Sequence, residues 1–174
     1  MAEFLAAIQY VLQNEGGFSK NPNDPGGATN FGILQREMPD VDIRNITREQ
    51  AIAFYLPNYW DKAPYVDIAS QQTATKLFDM HVNLGLVPAV KIAQQALGFQ
   101  GSDVDGDMGP ITVKAINAAD GTSFLAEVVN LVVNHYKMLE ARNPQLIVFD
   151  KGWMARARKL PPPDPQPAVH CTTA

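Results

Sequence analysis

The sequence predicts an all-α protein, mainly helical, with at most one short β-hairpin. Apolar residues recur at helical spacing in several separate stretches, and recognisable start and stop residues bracket those stretches. One region, residues 18–33, is dense in Gly, Asn, Asp and Pro, which leaves room for a short hairpin and little other strand.

The first helix is read over residues 4–12, where Phe4, Leu5, Ile8, Val11 and Leu12 fall on one face. Thr47-Arg48-Glu49-Gln50 is a capping box, so a second helix starts there and ends near Leu56-Pro57. A third covers about residues 70–84, with Ala74, Leu77, Phe78 and His81 inward. A shorter one covers 89–97 and stops at Gly98, a residue suited to the left-handed turn after a helix. Pro110 suits the first turn of the next helix, 111–118. The longest helix spans 122–142; Phe124, Leu125, Val128, Val129, Leu131, Val132, Val133 and Tyr136 surround it, so the expectation is a central, buried helix.

Composition bounds the rest. A chain of 174 residues with 46% hydrophobic content can bury a good core in a single domain. The only cysteine, Cys171, excludes an internal disulfide framework. No apolar run reaches the roughly eighteen residues of a membrane span, so no stable membrane insertion is expected. Glu3 stands where a secretory signal would carry basic residues, and none is expected. The net charge of −4 argues against nucleic acid as a partner, although Lys151, Arg156, Arg158 and Lys159 cluster near the end.

The chemistry is concentrated early. Glu15 ends the first apolar run, Asp24 follows in the turn Asn23-Asp24-Pro25-Gly26-Gly27, and Thr29 comes five residues later. Cleaving a glycosidic bond needs one carboxyl group to protonate the leaving oxygen. It also needs a polar group across the sugar to activate water or steady the transition state. Gly16-Gly17 is expected to let the chain leave the helix sharply, and the loop to bring Asp24 and Thr29 back towards Glu15. On spacing alone, the same residues equally describe a helix end and a surface loop with two exposed acids.

Glu15-Gly16-Gly17-Phe18 and Asp24-Pro25-Gly26-Gly27-Ala28-Thr29-Asn30-Phe31-Gly32-Ile33 resemble the signature of the glycoside hydrolase family 108 muramidases. Downstream, Tyr59-Trp60-Asp61, Phe78-Asp79-Met80-His81-Val82-Asn83-Leu84-Gly85 and Lys151-Gly152-Trp153-Met154-Ala155-Arg156 resemble further segments of that family, in the same order, over residues 1–158. The resemblance implies a lysozyme-like helical bundle that cleaves the β-1,4 bond between N-acetylmuramic acid and N-acetylglucosamine, with peptidoglycan glycan strands as partner and no cofactor. It implies Glu15 as general acid, Asp24 as the group that activates water, and Thr29 as the group that holds that water. Glu15 is then expected to be partly desolvated, with Phe18, Val11 and Leu12 as candidate neighbours. Tyr59, Trp60 and Tyr65 either line the cleft or belong to the core. Asp79 and Asn83, four apart on one helix face, either contact the sugar or, the preferred reading, brace the Glu15 helix. The threonine stands one residue nearer than in phage-type lysozymes. Without a leader, a wall enzyme reaches its substrate through a permeabilised membrane or in a phage particle, and it is expected to act as a monomer. A lytic transglycosylase and a non-catalytic wall-binding phage protein are the alternatives.

Residues 88–119 resemble small peptidoglycan-binding helical modules through Val104-Asp105-Gly106-Asp107-Met108-Gly109-Pro110 and Thr112-Val113. This unit is too short to carry its own core, so residues 1–159 are read as one domain, with a catalytic half (1–87) and a peptidoglycan-binding-like half (88–159). Calcium is not expected at Asp103, Asp105 and Asp107, because the required glycine and glutamate positions of an EF-hand hold Met108 and Lys114. His81, His135 and His170 lie too far apart for a zinc motif, and no metal is expected. Residues 160–174, rich in proline, are read as a disordered tail.

Overall fold

The computed structural model describes residues 1–20 and 27–165. Seven helices carry the described fold: α1 (Phe4–Asn14), α2 (Arg48–Asn58), α3 (Gln71–Leu84), α4 (Leu86–Ala96), α5 (Pro110–Ala118), α6 (Gly121–Arg142) and α7 (Asp150–Arg158), with short 3₁₀ turns between them. Between α1 and α2 runs a small antiparallel sheet of β1 (Ser19–Lys20), β2 (Ala28–Asn30) and β3 (Ile33–Leu34) in the order β1-β2-β3. Its register pairs Ser19 with Thr29 and Asn30 with Ile33. The protein is mainly α, as its sequence predicts.

Local signals fix the helix ends. Thr47 Oγ1 accepts the N–H of Gln50 while the Gln50 side chain accepts that of Thr47, closing the capping box. Ser70 and Asp120 cap α3 and α6 by accepting the N–H groups of Thr73 and Ser123. At the end of α4, Gly98 has φ of 83°, and the N–H groups of Gly98 and Phe99 bond back to Gln95 and Gln94. This is the Schellman arrangement, which satisfies carbonyls that the helix leaves open.

The central helix is α3, not α6. Nine consecutive residues of α3, Thr73 to His81, are buried, with α1 and α4 packed against it. The buried stripe of α6 is one-sided, formed by Phe124, Leu125, Val128, Val132 and Tyr136, while Glu127, Asn130, Asn134 and Lys137 face solvent. Polar residues at those positions leave α6 one apolar face, and that face meets α4 and α7. A single apolar cluster runs from Ala2 to Ala157 through both halves of the chain.

The chain end departs from the expected tail over residues 160–165. Pro161 is buried against α3; its carbonyl accepts from Gln72 Nε2, and Asp164 Oδ1 accepts the N–H of Gln72 in the open first turn of α3. Proline cannot continue α7, but the extended segment brings a side-chain carboxylate to an open main-chain donor in the first turn of α3 and a free carbonyl to the Gln72 side chain.

Candidate active site

Glu15 is the residue at which α1 stops. Its N–H still bonds to the carbonyl of Val11, but its backbone is extended (φ −78°, ψ 138°), so the chain leaves the helix here. Gly16 and Gly17 are not among the residues with positive φ, so the exit does not use the freedom expected of them.

The β2–β3 turn folds onto this carboxyl group. Phe31 and Gly32 form a two-residue loop with positive φ at both positions, 51° and 77°, the geometry that matches the twist of a tight hairpin. Phenylalanine is strained there, and the hydroxyl of Tyr55, on α2, donates to its carbonyl at 2.9 Å. A Cβ on Gly32 would lie 2.5 Å from Glu15 Oε2 and 2.8 Å from the Tyr55 hydroxyl, so the contact itself requires glycine. Burial, then the charge of Glu15, holds the Tyr55 hydroxyl far above its usual range, and it remains a donor.

The opposite side of Glu15 is held by Arg156 of α7. Its Nη2 donates to Glu15 Oε1 at 2.7 Å and to Asp79 Oδ1 at 2.9 Å, and its Nε also points at the Asp79 carboxylate. The Glu15 and Arg156 side chains are 15% and 16% exposed, and that of Asp79 only 2%. Burial alone would lower the guanidinium, but the two carboxylates outweigh it and hold it charged. Asn14 Nδ2 donates to Asp79 at 3.0 Å, so Asp79 ties the end of α1 to α7. These bonds fit the bracing expected of Asp79. The partial desolvation expected of Glu15 is present, but its named neighbours are a guanidinium and a phenol, and Phe18 is exposed.

The remaining site residues divide. Tyr59 is half-buried between Tyr55 and His81, each ring 5.2 Å away. Burial raises its hydroxyl, and the charges of Glu37 and Glu15 add to this. Trp60 and Tyr65 are core aromatics, packed with Phe4 and Phe78, and neither offers a face to a sugar. Tyr65 also shares a hydrogen bond with His81 Nδ1. Asn83 donates to the Tyr136 hydroxyl and so links α3 to α6. Thr29 is half-buried on β2, three residues before Gly32. Asp24 lies outside the described residues. A groove of about 600 Å³ opens beside Phe18, with Ala28, Gln35, Asp42 and Arg44 among its walls.

Arg156, which bonds to Glu15, and Tyr55, which bonds to the turn against it, were not legible in the sequence as neighbours of Glu15. The one signal was the motif containing Arg156, which stands 141 positions from Glu15.

Cleavage at a glycosidic oxygen requires a carboxyl group fixed in direction, and Glu15 is a carboxyl group held in that way within a mainly helical frame. Residues 8–85 match the family Glycosyl hydrolase 108 and residues 88–158 the family Predicted Peptidoglycan domain. The first half of the chain is thus similar to a glycosyl hydrolase family 108 domain and the second to a peptidoglycan domain, which supports peptidoglycan as a substrate or partner. Among solved structures it is similar to one titled "Structure of Brucella abortus SagA", with a TM-score of 0.72 and 28% identity over 88% of each chain. No curated protein matches it.

Proposed function

We propose that the protein is an N-acetylmuramidase that hydrolyses the β-1,4 bond between N-acetylmuramic acid and N-acetylglucosamine, with Glu15 as the general acid. The observation that carries this reading is the way Glu15 is held: one carboxyl oxygen on Arg156, the other against the Phe31–Gly32 turn. Held on both sides, the carboxyl group is fixed in direction, as a positioned proton donor to the leaving oxygen must be.

Asp24 is assigned to activate water and Thr29 to hold it, on the resemblance of the segment that carries them. An inverting attack calls for about 6.5–9.5 Å between the Glu15 and Asp24 carboxyl groups. Tyr59 is the aromatic assigned to the sugar, since it alone of Tyr59, Trp60 and Tyr65 is not in the core. Residues 1–87 and 88–159 are taken to work as one unit, sharing the apolar cluster, with the second half holding the wall. The biological setting assigned is cell-wall breakdown during host lysis, by a monomer.

The test is a turbidity assay on cells stripped of their outer membrane, with wild type beside Glu15→Gln, and mass spectrometry of the released fragments. The expected result is lysis by wild type, reducing muramic ends, and a loss of about a hundred- to ten-thousand-fold in Glu15→Gln, the contribution of a positioned acid. Anhydromuramic ends would replace the hydrolase with a lytic transglycosylase.

A further inference from the structure

One buried charge plays no part in the reaction as proposed. Lys76, in the middle of α3, is 1% exposed. Its Nζ donates to the carbonyl oxygens of Arg156 at 3.1 Å, Ala157 at 2.9 Å and Lys159 at 2.8 Å. An ammonium group has three N–H donors and no acceptor, so three carbonyls use it fully. These carbonyls belong to the open C-terminal end of α7, where the helix leaves its last acceptors without partners and carries partial negative charge.

One of the three acceptors is the main chain of Arg156 itself. Three residues further along α3, Asp79 takes the guanidinium of that same residue. Helix α3 thus grips Arg156 at both ends, by its backbone through Lys76 and by its side chain through Asp79. The guanidinium's remaining bond from Nη2 is the one to Glu15.

We propose that Lys76 is a positioning residue for the reaction: it fixes the end of α7 so that Arg156 holds Glu15 in register with the glycan. This rests on the reading of Glu15 as the general acid. A buried ammonium is costly to desolvate, and an apolar side chain would fill the space at lower cost. What an apolar residue cannot do is bind three carbonyls at once and so set the position of α7 along α3.

The charge state of Lys76 offers a way to see this. Burial lowers its pKa to about 8; Asp79 on α3 opposes the shift, and Arg156 on α7 and Lys159 beyond it add to it. From α1, Tyr10 also faces this cluster, its hydroxyl donating to the Lys159 carbonyl at 3.0 Å and raised to about 12, so it stays protonated through this range. A neutral amine keeps two donors and turns a lone pair to the third carbonyl. The grip on α7 then weakens as pH rises through about 8. Stability moves the other way. The folded pKa lies below the unfolded value of about 10.4, so between the two the unfolded chain binds more protons, and this group adds stability as pH rises. General loosening would lower rate and stability together; loss of register lowers the rate alone.

The experiment measures kcat, KM and the thermal midpoint from pH 6 to 10 on soluble glycan-strand fragments, for wild type, Lys76→Met, Lys76→Arg and Glu15→Gln. In Lys76→Met, kcat should fall roughly ten- to a hundred-fold at pH 7, the scale of a small misplacement of a reacting group, with KM nearly unchanged. Lys76→Arg should recover most of the rate and lose the alkaline fall near pH 8 seen in wild type. A folded Lys76→Met with wild-type kcat, or a wild type without that alkaline fall, overturns the proposal. Should Lys76→Met fail to fold, an alkaline fall that persists in Lys76→Arg overturns it. A dead Glu15→Gln beside a fully active Lys76→Met sinks this proposal alone; an active Glu15→Gln sinks the acid assignment as well.

Discussion

Two buried polar networks, one within the second half of the chain and one joining the two halves, are built on opposite plans. In the second half, Gln94 of α4 is 1% exposed and uses its amide in both directions. Its Nε2 donates to Asp105, the Asp107 carbonyl and Thr112, and its Oε1 accepts the N–H of Gly106. All partners lie within 18 positions, and the only charge in it, Asp105, stands at the surface. The other network joins the two halves: Glu15, Asp79 and Arg156 are ionisable groups shielded from water and drawn from α1, α3 and α7 across 141 positions. A neutral amide with every group matched shapes a loop at small electrostatic cost. A shared guanidinium is costly to bury, and what it adds is a carboxyl group fixed in direction.

Removing the guanidinium should have the largest effect. Arg156→Met leaves Asp79 as a buried, unpaired charge, which costs about 3–5 kcal/mol, and it releases Glu15. Urea denaturation and lysis assays should both show the loss. A variant that keeps wild-type stability would mean that Asp79 finds water or another partner.

Gly32→Ala comes next, and it should separate activity from stability. A left-handed backbone costs an L-residue about 1–2 kcal/mol, and the added methyl group must push Glu15 or Tyr55 aside. We expect kcat to fall roughly a hundred-fold, as for a displaced catalytic group. Wild-type kcat in this variant would place the acid elsewhere.

Gln94→Met should do the reverse. It leaves the Gly106 N–H and the Asp107 carbonyl without the amide, at about 1–3 kcal/mol, while the rate per folded molecule stays unchanged. The same variant tests the pH response. Bonding to Gln94, then to the Asp107 N–H, holds the Asp105 carboxyl below its usual range. Its stabilising effect is present above the unfolded value of about 3.9 and is lost as pH falls through the lower folded value. The acid branch of a stability-against-pH curve should therefore flatten in Gln94→Met; an unchanged branch would assign it to other carboxylates.

The smallest effect concerns the chain end. Ending the chain after Pro165 keeps the bonds to Gln72, and ending it after Lys159 removes both. Only the second truncation should lose stability, by about 0.5–1.5 kcal/mol for each net hydrogen bond. Equal stability of the two would show that the segment merely rests on α3.

Most of this fold could be read along the chain because helix periodicity and capping act over a few residues. The Thr47–Gln50 box, Gly98 and Pro110 each mark a boundary by local geometry alone. Helix α3 could not be read as central for a matching reason. Its interior holds Lys76, Asp79 and His81, which look like surface residues until their partners on other elements are known. Helix α6 erred the other way, since valine and leucine show how much apolar surface exists and not which face is covered.

The candidate site follows the same division. By its residues and their order the sequence determined that Glu15 ends a helix, that a glycine-rich turn segment follows, and that the chain resembles family 108 along nearly all of its described length. Only the tertiary structure decided that Arg156 reaches Glu15, that Trp60 and Tyr65 belong to the core, and that Gly32 lies hard against the Glu15 carboxyl group. Periodicity and caps depend on neighbours three or four residues away, so a sequence displays them. Charge pairing depends on which distant residues share a space, and packing sets that only once the chain has closed.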